Sequence, residues 1–188
     1  MEAYIDIKIF PNKEIRENVL LNQIYTLLHK RLYEMRSKDI GVSFPEYKLK
    51  LGKTIRIHGS KTSLEKLESK DWLGKYKAFC KVTPILSIPE SVQYRTVSRL
   101  QQNMTEAKLR RLIKRAKEGK GSFNDEDIKK YRIKMLQNGL DNPYVELISM
   151  SNGQRHRRFI EFGELLKEPV SGDFDMFGLS KTATIPWF

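Results

Sequence analysis

The side chains that could do chemistry in this chain are few: three histidines, one cysteine and scattered serines, set among 35 lysines and arginines. His29 sits in a segment where Val19, Leu20, Ile24, Leu27, Leu28 and Met35 recur at helical spacing. At about 100° per residue it falls opposite that apolar stripe, with Asn22, Tyr25, Tyr33 and Arg36, so it reads as a surface histidine on an aromatic and basic face. Such an imidazole commonly has no task, but next to a phosphodiester it could exchange protons near neutral pH. His58 shares the outer face of a strand with Thr54 and Arg56, which suits a solvated or structural histidine. His156 lies between Arg155 and Arg157, where base stacking or a phosphate contact is balanced against ordinary exposure. The single Cys80 cannot form an internal disulfide and reads as a small buried hydrophobe.

These residues narrow the chemistry. No grouping of His, Cys and carboxylates has metal-ligand spacing, and neither a GxxxxGK[ST] nor a GxGxxG loop occurs, so we expect no metal, no cofactor and no nucleotide-driven step. A cut in nucleic acid would then use the nucleophile built into RNA. A base removes the 2′-hydroxyl proton, the oxygen attacks the adjacent phosphate, and an acid or water assists the leaving 5′-oxygen. DNA lacks that hydroxyl, so such an enzyme would be specific for RNA.

The partner is suggested by charge. Thirty-five basic against 23 acidic residues give a formal net charge of +12, which favours a polyanion. The charge is sorted rather than scattered over TEAKLRRLIKRAKEGK, residues 105–120. In a helix, Leu109, Leu112, Ile113 and Ala116 fall on one side, and Lys108, Arg110, Arg111, Lys114, Arg115 and Lys117 fan across the other. Thr105 suits the N-cap, Glu106 the first turn and Gly119 the C-terminal stop. No apolar run approaches the roughly 18 residues that span a bilayer, and the first residues lack a signal-peptide layout. A soluble, cytoplasmic protein with no membrane partner is therefore expected.

The elements that position these groups follow from periodicity. Ile5, Ile7 and Ile9 alternate within a strand over 4–10, a helix runs over 13–36, and strands are predicted at 40–45 and 54–58. A shorter helix covers 63–73, and residues 76–88 have strand composition interrupted by Pro84. Strand, helix, strand, strand, helix, strand is the order of the ferredoxin-like α+β fold. Beyond it, 93–99 looks extended, 124–137 is helical, and Asn152-Gly153 between two strand-forming runs predicts a hairpin with a primed two-residue turn. The ending IPWF is apolar enough to dock.

Several segments taken together resemble the repeat-processing endoribonuclease of type I-F CRISPR systems. They are LLHKRL around His29, IGVSFP at 40–45, TIRIHGS at 54–60, YRTVSRLQ at 94–101 and RRLIKR at 110–115. ISMSNGQ leading to RRFI at 148–160 follows, then FGLSK and the final PWF. They occur in the family's order and cover most of the chain.

The resemblance implies a ferredoxin-like domain over 1–92 carrying the catalytic histidine. Residues 93–188 would form a smaller RNA-binding region with an arginine-rich helix and a β-hairpin. It further implies a metal-independent enzyme that binds the stem-loop of a CRISPR repeat and cuts at the 3′ base of the stem, leaving a 2′,3′-cyclic phosphate or 3′-phosphate. The product hairpin would stay bound within the crRNA-guided surveillance complex, whose other subunits are then partners. His29 matches the family's base, Ser149 the serine that holds the ribose, and Ser151 a second hydroxyl. Arg99 and Gln101 match residues that read base edges; Arg111, Lys114 and Arg115 match positions that clamp phosphates, with Lys108 and Arg110 on the same basic helix. His156 matches an aromatic that stacks on the closing base pair. Where the family often has tyrosine before Gly-Leu-Ser, this chain has Phe177, so the orienting of His29 must come from elsewhere, such as Ser149 or a backbone group. A structural hairpin-binding subunit without cleavage is the alternative reading.

Overall fold

The computed structural model describes residues 1–10, 15–101, 104–137, 142–148 and 153–188. The isoleucine alternation forms β1 (Ala3–Ile9), in which Ile5, Ile7 and Ile9 are buried. It lies inside an antiparallel sheet whose order is β2 (Gly41–Ser43), β3 (Thr54–Gly59), β1, β4 (Cys80–Val82), with β5 (Leu86–Ser87) also on β1. Ile5 faces Ile57 and Ile7 faces Ile55 across the central pair, a β-branched ladder suited to a pleated surface. Helix α1 (Glu17–Met35) joins β1 to β2, and α2 (Lys61–Glu68) with a 3-10 turn (Gly74–Phe79) joins β3 to β4. Each helical connection thus passes over one antiparallel strand. The stretch expected as one strand over 76–88 is instead the 3-10 turn and two short strands, with Pro84, which cannot donate to a ladder, lying between them.

Two further sheets follow. β6 (Gln93–Arg95) pairs with β10 (Ile185–Trp187), and β7 (Val97–Leu100), β9 (Arg155–Phe162) and β8 (Tyr144–Ile148) form a three-stranded sheet in that order. β8 packs against α1, where the Glu146 amide donates to Asn22 Oδ1 at 3.0 Å. This corrects the single-stripe reading of α1. Leu20, Ile24 and Leu28 are buried as expected, but so are Leu21, Tyr25 and Leu32, while Val19 is 43% exposed. The helix has partners on two faces, and a single-face pattern registers only one of them.

His58 is a second correction. It does lie on β3 with Thr54 and Arg56, but that face is covered too, and the imidazole is fully buried. Its Nε2 lies 2.8 Å from Ser43 Oγ, and the Phe188 ring meets it edge-on at 6.4 Å. Arg56 beside it forms a two-pronged pair with Asp6 at 2.7 and 2.8 Å and donates to the Phe188 carbonyl at 2.8 Å. Its guanidinium also stacks on the Tyr4 and Phe188 rings. The apolar ending docks, as the sequence suggests, and in docking it seals the second face of the sheet.

The chain divides into two compact units, Met1–Arg99 with Pro143–Phe188, and Leu100–Asn142. Apart from Leu100 of β7, strands β6 to β10 belong to the same compact unit as the N-terminal sheet. The smaller unit contains α3 (Glu106–Lys117) and α4 (Asp125–Gln137), which contact each other. Its interior holds Leu109 and Tyr131, both buried, and the Tyr131 ring meets Phe123 edge-on.

Burial in an apolar site beside Arg56 pushes the His58 imidazole down to about 3 from an ordinary value of 6.5. Between those values the unfolded chain binds a proton that the folded protein refuses, so this residue makes stability fall as pH drops below 6.5. The expected slope is at most about 1.4 kcal/mol per pH unit. Urea unfolding at pH 7.5 and 5.0 should show a shallower pH dependence in a His58→Gln variant than in the native protein.

Candidate active site and basic helix

His29 occupies the sixth residue before Met35 on α1 and is half-buried rather than open to solvent. What covers it is the turn Asp175–Leu179. Met176 presents its carbonyl oxygen 2.7 Å from His29 Nδ1, and the Phe177 ring stacks on the imidazole at 3.5 Å between centroids and 8° between planes. A carbonyl can only accept, so Nδ1 carries the proton and Nε2 keeps the lone pair. Burial, with the Arg158 charge, lowers the His29 pKa below its ordinary 6.5, against smaller raising effects from the Met176 bond and Asp175. The ring is therefore neutral at pH 7, with a basic nitrogen of defined identity.

The turn is built to hold that carbonyl still. Asp175 Oδ1 accepts from the Phe177 and Leu179 amides at 2.8 and 3.0 Å, the short-range bonding that makes Asp a turn residue. The Asp175 amide donates to the Leu179 carbonyl at 2.8 Å, and the Gly178 carbonyl accepts from Val42 on β2 at 2.8 Å. Gly178 has φ +70, and a Cβ there would lie 2.4 Å from Val42 Cγ2; only glycine meets both demands. From below, the Tyr25 phenol donates to the Phe177 carbonyl at 2.8 Å. Burial raises its pKa far above the ordinary value, so it stays a donor.

Helix α3 matches its expected form. Thr105 caps it by accepting from the Lys108 amide, and Gly119 ends it at φ +68, with the Lys120 amide returning to the Arg115 carbonyl at 2.9 Å. Leu109 is buried, Leu112, Ile113 and Ala116 are half-buried, and Lys108, Arg110, Arg111, Lys114, Arg115 and Lys117 are exposed. Arg110 and Lys114 reach Glu106 and Glu118 at 3.9 and 3.8 Å. At the exposed surface such pairs are weak and exchangeable for phosphate. Arg99 and Gln101 are also exposed.

The hairpin pairs Leu147 with His156 and Ile148 with Arg155. A two-residue Asn152-Gly153 turn would pair 151 with 154 and, counting outward, 148 with 157, so the observed register differs from the expected one; residues 149–152 lie outside the described residues. Ser149 and Ser151, the hydroxyls expected to complete the site, lie outside the described residues. His156 is exposed, on the face of β9 that also carries Arg158, while Arg155 and Arg157 lean onto Glu146 at 3.5 and 3.9 Å. Arg158 escaped the sequence reading, although its alternation with buried Ile160 places it on the inner face of β9. Cys80 is only partly buried, and its thiol lies 3.4 Å from the Tyr76 carbonyl. Among the described residues, no cluster of three or more His, Cys, Asp or Glu is arranged to hold a metal ion, and no helix is long and apolar enough to cross a membrane.

Fold and site together define a basic, antiparallel α/β protein with one oriented neutral imidazole and an exposed cationic helix. Residues 4–188 match the family model described as CRISPR-associated protein (Cas_Csy4), and the chain belongs to that family. It is 35% identical to the CRISPR-associated endonuclease Cas6/Csy4 of Escherichia coli strain UTI89 over 189 residues, all of both chains. It is 33% identical over 191 residues, again all of both chains, to the protein of the same name from Pseudomonas aeruginosa strain UCBPP-PA14. A solved CRISPR endoribonuclease Cse3 bound to a 19-nt RNA is also similar, at 11% identity and a TM-score of 0.38, over 99% of this chain and all of the other.

Replacing Gly178 with alanine adds a strained φ and a clash with Val42 at the turn that presents Met176. We expect Gly178→Ala to destabilise the protein by about 2–4 kcal/mol in urea unfolding.

Proposed function

We propose that this protein is an endoribonuclease that binds the stem-loop of a CRISPR repeat in precursor RNA and cuts at the 3′ base of the stem. The observation that carries the catalytic part is the 2.7 Å bond from His29 Nδ1 to the Met176 carbonyl. It leaves Nε2 as the base. Nε2 takes the 2′-hydroxyl proton, the 2′-oxygen bonds to phosphorus, and the phosphorus–O5′ bond breaks. The 5′-oxygen leaves with a proton from water or an acid, and the strand upstream ends in a 2′,3′-cyclic phosphate, which hydrolysis opens to a 3′-phosphate. Because RNA supplies the nucleophile and His29 the base, the route needs no metal and no cofactor.

In this reading Ser149 holds the ribose in line, and Ser151 offers a second hydroxyl. Phe177 packs where the family's tyrosine stands, and the Met176 carbonyl takes over the orienting of His29. His156 stacks on the closing base pair, and Arg99 and Gln101 meet purine edges with paired hydrogen bonds. Lys108, Arg110, Arg111, Lys114 and Arg115 meet phosphates; Lys114 supplies charge without the fork of an arginine. We read residues 1–92 as ferredoxin-like, supported by the order β2-β3-β1-β4 with helical connections that each skip a strand. Residues 93–188 carry most of the RNA contacts. High charge favours retention of the product hairpin, which then joins the other subunits of a type I-F surveillance complex in the prokaryotic cytoplasm.

Repeat RNA incubated with the protein in EDTA should be cut, RNA with a 2′-deoxy at the scissile nucleotide should not, and His29→Ala should bind without cutting. Cleavage by His29→Ala at the native rate would refute the assignment, and hairpin binding without any cleavage by the native protein would make it a structural subunit. Arg111→Ala with Arg115→Ala should weaken hairpin binding roughly tenfold or more at moderate salt and reduce the salt dependence by about two phosphate contacts. Filter binding at several salt concentrations measures both.

A further inference from the structure

Phe177 is gripped from two sides. The His29 ring lies 3.5 Å from its centroid and nearly parallel, and the Arg158 guanidinium carbon lies 3.5 Å from the same centroid. Two groups so close to one centroid can occupy only opposite faces. Arg158 extends from β9 and is 8% exposed, so it is spent inside the protein instead of on the nucleic-acid surface. Its Nη1 lies 3.9 Å from Asp175 Oδ2, and its Nε has no hydrogen-bond partner among the described residues. A cation this deep and this loosely paired is costly to keep unless something uses it. Phenylalanine has no hydroxyl with which to hold an imidazole, and it offers only its two faces; here one carries the base and the other the cation.

We propose that Arg158 is a positioning residue for the His29 base: it clamps the Phe177 ring against the imidazole and sets a fixed positive charge behind it. The proposal rests on the reading of His29 as the base. The charge disfavours a second positive charge on the ring, which keeps His29 in the proton-accepting form at lower pH than burial alone would. Asp175, at the start of the turn, works in the opposite direction, and the two form an opposed pair around the base. The other groups that face this cluster are the Tyr25 phenol on α1, which stays protonated, and Arg99 on β7, whose charge is felt at Arg158.

The opposed signs make the test decisive. In Arg158→Met an apolar stem still covers Phe177 but the charge is gone; in Asp175→Asn the Oδ1 that accepts the two turn amides is kept and the negative charge is lost. The titration midpoint of His29, followed by NMR in the RNA-free full-length protein and assigned with His29→Ala, should rise in Arg158→Met and fall in Asp175→Asn. In single-turnover cleavage of the repeat hairpin, the deficit of Arg158→Met should be roughly threefold greater at pH 6 than at pH 8. Midpoints that stay put, or that move the same way in both variants, overturn the proposal. Midpoints that move as stated without any matching change in the cleavage profile support the Arg158 coupling and overturn the reading of His29 as the base. Should Arg158→Met not fold, Arg158→Gln takes its place: a raised His29 midpoint supports the proposal, and an unchanged or lower one overturns it.

Discussion

The proposed chemistry depends on where one backbone carbonyl points. The Met176 oxygen accepts from His29 Nδ1 at 2.7 Å, and that contact alone decides which imidazole nitrogen is basic. A single hydrogen bond contributes only about 1 kcal/mol of net stability, so its importance lies in orientation. Most of the surrounding structure serves to fix the carbonyl: the Asp175 bonds that close the turn, Gly178 pressed against Val42, and the Tyr25 phenol below. β2 and α1 therefore both hold the turn that presents the carbonyl.

The cationic helix obeys a different logic. α3 is set by signals within itself: a Thr105 cap, a Gly119 stop and an apolar edge ending in buried Leu109. Its exposed charges need no fixed geometry to attract phosphate, because counterion release rewards charge density more than placement. The proposed base at His29 tolerates no such looseness, since proton transfer requires hydrogen-bond reach and the right tautomer. The cationic helix and the oriented histidine thus lie in two compact units, the first set by local sequence and the second by long-range packing.

That distinction also decides what could be read from sequence. β1, α1, β3 and α3 were legible because each repeats one period along one face. The error over Tyr25 and His58 has a common cause: each lies on the second buried face of its element, and period reading assigns an element only one. The register of the hairpin was hidden because Asn-Gly is a strong local turn signal, whereas Val145, Leu147 and Ile160 pack inward on a pairing that aligns Ile148 with Arg155. That the Met176 carbonyl meets His29 depends on a contact across 147 residues, and that Arg158 lies on the far face of Phe177 depends on the turn that brings the Asp175–Leu179 segment back over β9, neither of which a local pattern carries.

The most direct test of this account is the protonation state of His29 read by 15N NMR in histidine-labelled protein at pH 7.5, with His29→Ala used for assignment. The account predicts a neutral ring with the proton on Nδ1 and the lone pair on Nε2. A ring protonated on Nε2 alone, or a cationic ring at that pH, would contradict it.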